Sequence, residues 1–217
     1  MPVETNYITS ITCTIEYSIQ DGHGVLERYS LTPPDLVELC GGVPSRDVLF
    51  VCVDMVSSTD MSMTVSVATD LYQVFRTVNF SLKRISNDKM RVYWKGRHLG
   101  TSLFLNQVRF ARKLGFRKLS TTALEWDGYE RWDGFYRWAR LGYQMTDRND
   151  LEDFEDLMRY FPRAVANLNE LVLSDDGFEF WKNQGFTWTG EFLLADDSVS
   201  MKYLRCYLIL KKIDFTP

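Results

Sequence analysis

The sequence predicts a mixed α/β fold of the α+β kind: a mostly antiparallel sheet flanked by helices, followed by a helical C-terminal extension. Three observations predict it. From Thr9 to Val92 the chain is a succession of β-branched and aromatic runs that alternate with period two and are separated by turn formers. After Gly96 the apolar spacing becomes that of an amphipathic helix, then of a strand and a second helix. From Asp147 onward the text is acidic and helical. With 217 residues, 45% hydrophobic and 25% charged, the chain has an ordinary globular composition and can bury one core plus a smaller appendage. The expected division is a core at 1–146 and an extension packed on it at 147–217.

The strand-like runs are TCTIEYSI, VLFVCV, SMTVSVA, YQVFRTVNFSL and KMRVYW. They are punctuated by DGHG at Asp21, TPPD at Thr32, GGVPS at Gly41, SSTD at Ser57 and SND at Ser86. A short helix is expected from Pro34 to Cys40. Leu99, Leu103, Val108, Phe110, Ala111 and Leu114 follow helical spacing and predict a helix from Thr101 to Leu114, with Gly115 as its stop. RKLSTTA, Arg117 to Ala123, reads as the next strand, and a second helix opens near Asp133 and closes at Gly142. DLEDFEDLMRYF, AVANLNELVL and DGFEFWKNQGF continue as helices. The last helix is expected from Ser198 to Lys212, with a strand over KYLRCYLIL as the rival reading.

One unit, Asp-Gly-aromatic-x-x-Trp, is written three times, at Asp127, Asp133 and Asp176. Asp before Gly forms turns and caps helices, while the aromatic and the Trp three residues on share one helical face. The copies at Asp133 and Asp176 also close with Gly and an aromatic, so each reads as one short helix anchored in a core. The copy at Asp127 stands too close to the next to be a full helix and reads as a loop.

Bulk charge narrows the function classes. A net charge of -4 gives no general attraction to phosphate polymers, so nucleic acid is not an expected partner. No run of 18 apolar residues occurs, and MPVETNYITS lacks the basic start and apolar middle of a signal peptide, so a cytoplasmic protein without membrane association is expected. Cys13, Cys40, Cys52 and Cys206 are far apart and without C-x-x-C spacing, and so read as reduced thiols. With only two histidines, His23 and His98, a His-rich metal centre is not expected.

The stretch that carries chemistry is KGRHLGTSLF, Lys95 to Phe104, between the strand ending MRVYW and the amphipathic helix. A glycine-bearing turn from strand into helix aims several backbone N–H groups at one point, where the helix dipole adds positive potential. Such a turn suits a pyrophosphate, with Lys95 and Arg97 adding charge. A bare turn whose glycines only relieve strain is the alternative.

KGRHLGTSLF resembles the acyl-CoA signature of the GNAT superfamily of N-acetyltransferases, Gln/Arg-x-x-Gly-x-Gly/Ala. FARKLGFRKLSTTA resembles the helix, Gly turn and strand that follow in that family, and FYRWARLGY its later F-Y-x-x-x-x-G-F helix end. The resemblance covers Met90 to Tyr143 and implies a GNAT-like sheet, acetyl-CoA as acyl donor, and direct attack by an amine acceptor. It assigns Lys95, Gly96, Arg97, His98, Leu99, Gly100, Thr101 and Ser102 to the cofactor. In the preferred register Lys95 replaces Gln/Arg, Gly100 matches the last Gly/Ala, and His98 stands where the family has its central Gly; a shifted register would run Arg97-x-x-Gly100-x-Ser102. Many members carry an acidic Tyr four residues before the Gly of the later helix end, and Trp138 occupies that position here. Tyr136, two residues earlier and roughly 200° around the helix, is the candidate catalytic acid, provided the helix is irregular there. Glu125, Asp127 and Asp133 are the carboxylates near the expected cleft mouth.

Overall fold

The structure, a computed structural model, describes residues 15–20, 24–42, 49–57, 62–69, 71–93, 98–126 and 132–214. It divides into two compact units, Met1–Arg117 and Lys118–Thr216. The boundary expected between 146 and 147 falls inside the second unit. The fold class is mixed α/β, with mostly antiparallel strand pairing and flanking helices, as the alternation of the runs had indicated.

In the first unit β1 (Ile15–Gln20) lies parallel to β2 (Leu49–Ser57), and β3 (Ser62–Ala68), β4 (Tyr72–Asn79) and β5 (Arg84–Val92) follow as antiparallel neighbours. Period-two patterning decides which face is covered. Met63, Val65 and Val67 on β3 and Tyr72, Val74 and Val78 on β4 are all fully buried. Among the described residues three helices accompany the sheet: α1 (Val25–Arg28), α2 (Pro33–Leu39) and α3 (Leu99–Lys113). α2 begins one residue before its expected start, with proline in its first turn and the Asp35 carboxylate accepting from the Thr32 N–H at 2.6 Å. The link from α2 to α3 needs glycine: Gly41 has φ 112°, and a Cβ there would overlap the Leu103 carbonyl of α3. Asn106 of α3 donates to the Gly41 carbonyl at 3.2 Å, and the Tyr72 hydroxyl donates to that of Gly42 at 2.7 Å.

α3 ends as its sequence directs. Gly115 (φ 73°) follows the cap residue Leu114, Phe116 N–H donates to Ala111 O at 2.9 Å, and Gly115 N–H donates to Arg112 O at 2.9 Å. This is a complete Schellman closure.

The second unit contains β6 (Lys118–Ala123), a two-residue ladder of β7 (Glu125–Trp126) with β8 (Trp132–Asp133), α4 (Gly134–Arg140), β9 (Gln144–Met145), α5 (Arg148–Met158), α6 (Leu168–Leu173), α7 (Asp175–Gln184), β10 (Trp188–Leu193) and α8 (Val199–Lys211). β10 lies antiparallel to both β6 and β9. The segment after 147 is therefore helical apart from a returning strand, WTGEFL, that the sequence reading had not separated. KYLRCYLIL is helical, capped by the Ser198 hydroxyl accepting from Met201 N–H at 3.2 Å, so the rival strand reading is excluded.

Cys40 is buried and Cys206 exposed, and both are free thiols. Cys13 and the side chain of Cys52 lie outside the described residues. Among the described residues no helix is long and apolar enough to cross a membrane, and no group of three metal-ligating side chains occurs.

Candidate functional site

The strand-to-helix turn is built by β5 and α3. At β5 the register with β4 shifts: Arg76 is opposite Asn87, whereas Phe75 is opposite Lys89, so Asp88 is the extra residue of a bulge. The bulge changes which residues face α3. Ile85 and Asn87 are buried before it, and Met90 and Val92 lie beneath α3 after it, with Met90 Cε and Val92 Cγ2 the nearest atoms to the position of a Cβ on Gly100. Lys89 and Arg91 are thereby turned onto rings, Lys89 over Phe75 at 5.5 Å and Arg91 over Tyr93 at 5.0 Å. Asp88 accepts on the exposed side from Thr77 and Ser86 hydroxyls, at 2.7 and 2.6 Å.

Two devices hold the bulge against α3. Asn87 and Gln107, both buried, exchange side-chain amide bonds at 3.1 and 2.8 Å. Buried Arg76 donates to the carbonyls of Phe75 at 3.0 Å and Lys89 at 2.8 Å. The paired Asn87 and Gln107 amides fix one geometry, because any shift would leave buried amide groups unpaired, whereas Arg76 holds the Phe75 and Lys89 carbonyls through one terminal nitrogen while its buried Nε has no hydrogen-bond partner among the described residues.

α3 opens on His98, whose backbone is left-handed at φ 54° and ψ 17°. This conformation costs an L-residue with a Cβ about 1–2 kcal/mol and favours glycine. In the preferred register of the resemblance, this is the position expected to be glycine. His98 is exposed and makes no side-chain capping bond, and the first turn carries no acidic residue. The intrahelical ladder begins with Ser102 N–H donating to His98 O at 2.9 Å, so the N–H groups of Leu99, Gly100 and Thr101 precede it. By contrast α5, α6, α7 and α8 are capped by the side chains of Asp147, Asn167, Ser174 and Ser198. Gly100 does not have a positive φ, and a Cβ there would be in ordinary contact, 3.5 Å from Val92 Cγ2. Ser102 is buried and Thr101 half-buried. Lys95, Gly96 and Arg97 lie outside the described residues, so the structure brings His98, Leu99, Gly100, Thr101 and Ser102 together and leaves the other three unplaced.

The other candidate, Tyr136, belongs to the second unit. Its ring is buried, edge-on to Phe135 at 5.2 Å and to Phe178 at 5.3 Å. α4 shows why Trp138 stands in the position of the expected Tyr. Tyr143 N–H donates to Trp138 O at 3.3 Å and Gly142 N–H to Ala139 O at 3.1 Å, with Gly142 at φ 99°, another Schellman closure. The Trp138 and Tyr143 rings meet edge-on at 5.1 Å, the apolar contact that such a closure favours. Asp127 lies outside the described residues, as do the side chains of Glu125 and Asp133.

The repeated unit also has a structural explanation. The copies at Asp133 and Asp176 form α4 and α7, and Trp181 of the second donates its indole N–H to the Phe135 carbonyl of the first at 3.2 Å. α7 is capped by Ser174 rather than Asp176, a correction to the reading of Asp as the cap. Gly177 is required because a Cβ would overlap the Leu171 carbonyl. The copy at Asp127 falls mostly outside the described residues.

No family model matches this chain, and no curated protein is similar to it. Among solved structures the chain is similar to nourseothricin acetyltransferase, with 14% identity over 74% of this chain and 92% of that chain and a TM-score of 0.33. At that TM-score the likeness does not establish a shared fold or activity, and no residue correspondence follows from it.

Proposed function

We propose that the chain is an acyl-CoA-dependent N-acyltransferase that moves an acetyl group from acetyl-CoA to an amine by direct attack. The observation that carries this reading is His98: the backbone at the signature's glycine position adopts the conformation that glycine serves, at the mouth of a 15-residue helix with no side-chain cap or first-turn acid. A pyrophosphate there would accept from main-chain N–H groups and meet the positive end of the α3 dipole. Lys95 and Arg97, in the same turn, would add charge.

Transfer between a bound thioester and an amine needs chiefly alignment, a donor for the developing oxyanion and a deprotonated amine. The buried ring of Tyr136 and the structural use of Trp138 place little weight on a side-chain acid. We therefore assign the chemistry to positioning, with Tyr136 as the acid to be tested by Tyr136→Phe. The second reading is an inactive module that binds CoA or a protein partner, and it is favoured by His98 at the position of the signature's glycine and by Trp138 at the position of the expected Tyr. A thiol-release assay with acetyl-CoA and a panel of amines separates the two. Amine-dependent release supports the enzyme, whereas heat protection by CoA without release supports the module.

A further inference from the structure

Arg140 is half-buried on α4, and its guanidinium lies over two rings. Its Cζ is 4.0 Å from the centroid of Phe178 on α7 and 5.5 Å from that of Tyr207 on α8. Its Nε is shut off from solvent and donates no hydrogen bond, and among the described residues its side chain has no carboxylate partner. Four exposed arginines of the same unit do have carboxylate partners: Arg148 pairs with Glu152, Arg159 with Asp156, Arg163 with Asp176 and Arg205 with Asp196. Arg140, partly desolvated, thus lacks among the described residues the anion that these four exposed arginines have, although burial makes that omission more costly.

Contact with ring faces restrains a guanidinium while leaving its N–H edge available to a bidentate acceptor. Lysine has no equivalent of this planar fork. Phe178 and Tyr207 are each half-exposed, so the rings that hold Arg140 also present apolar surface beside it. We propose that Arg140, Phe178 and Tyr207 form a binding site for a small organic oxyanion, a carboxylate or phosphate monoester carried on an aromatic or apolar body. The site holds whether or not the chain transfers acyl groups.

Nitrogen-15 spectra of the arginine side chains read this directly, in protein titrated with benzoate, with phenyl phosphate, and with benzyl alcohol as the uncharged control. The Arg140 Nε–Hε signal, identified by its absence from Arg140→Lys, is expected to shift saturably with at least one anion and not with the alcohol. The tighter anion identifies the head group. Arg140→Gln and Arg140→Lys should each weaken binding at least tenfold, and Tyr207→Leu, which keeps the guanidinium, should weaken it less. A signal that neither anion moves saturably overturns the proposal, and this titration requires no variant to fold. An unchanged affinity in a folded Arg140→Gln protein overturns it as well. Because no acyl-CoA enters the experiment, its failure leaves the transferase reading untouched.

Discussion

The indole N–H of Trp188 donates to the carbonyl oxygen of Phe135 at 2.6 Å, across 53 residues of chain, and Trp181 donates to the same oxygen at 3.2 Å. One carbonyl in the first turn of α4 thus receives α7 and β10 together. Both indoles are fully buried, so each N–H needs a protein partner. Trp188→Phe should cost about 1–3 kcal/mol, the sum of a lost hydrogen bond and a small cavity. The urea midpoint measures it, and a change below about 0.5 kcal/mol, the scale of a neutral surface substitution, would show that the bond contributes nothing.

Asn169 organises the other end of α4. Its buried amide donates to Tyr143 O at 2.9 Å and to Ala139 O at 2.8 Å, the latter a second donor beside the Gly142 N–H of the helix closure. Asn169→Ala is expected to destabilise by about 1–3 kcal/mol, since the Tyr143 carbonyl loses this donor while the Ala139 carbonyl keeps the Gly142 N–H. Equilibrium unfolding monitored by tryptophan fluorescence gives the value.

His98 provides a test of backbone strain. His98→Gly should leave the turn in place and raise stability by up to about 1 kcal/mol, the left-handed cost offset in part by the greater freedom of glycine in the unfolded chain. His98→Ala keeps the Cβ and should not stabilise. Melting temperatures for the pair decide the matter, and equal gains in both would point to the imidazole rather than the backbone.

Burial pushes the Cys40 thiol from its ordinary 9.0 up to about 12, against a smaller pull from Arg76. The unfolded chain releases this proton first as pH rises, so the contribution of Cys40 to stability is complete below pH 9 and is lost between about 9 and 12. Cys40→Ala should flatten that part of the stability profile. In native protein near neutral pH, exposed Cys206 should alkylate and Cys40 should not.

The parts of the fold that were legible were those written in local patterns. Period-two burial in β3 and β4, the Gly115 and Gly142 closures and the Ser198 cap each follow from residues within one turn or strand of one another. The Asp88 bulge was legible only as a break: SND at Ser86 read as a turn between strands, whereas it lies inside β5, where the pairing of Asn87 with Gln107 and of Arg76 with the Lys89 carbonyl makes Asp88 an extra residue of a continuous strand. β10 was missed for another reason. Trp188, Gly190 and Phe192 alternate inward, but the middle position is a glycine whose space is filled by the Trp188 ring and the Gln144 carbonyl, so the apolar signal is broken where packing is tightest. The candidate turn was recognisable from its motif, whereas the unpartnered Arg140 depends on three helices meeting and leaves no trace in sequence.

Gly100 separates folding from ligand binding in that turn. Gly100→Ala should fold normally and gain up to about 1 kcal/mol of helix propensity, its methyl in ordinary contact with Val92. Gly100→Val sets further methyl groups against Val92 and Met90 and should displace the first turn of α3. Isothermal titration of acetyl-CoA into wild-type, Gly100→Ala and Gly100→Val protein is the most direct test of the proposed function. The account predicts saturable binding by the wild type and by Gly100→Ala, with at least tenfold weaker binding by Gly100→Val. No binding by the wild type, or equal affinity in a folded Gly100→Val protein, would contradict it.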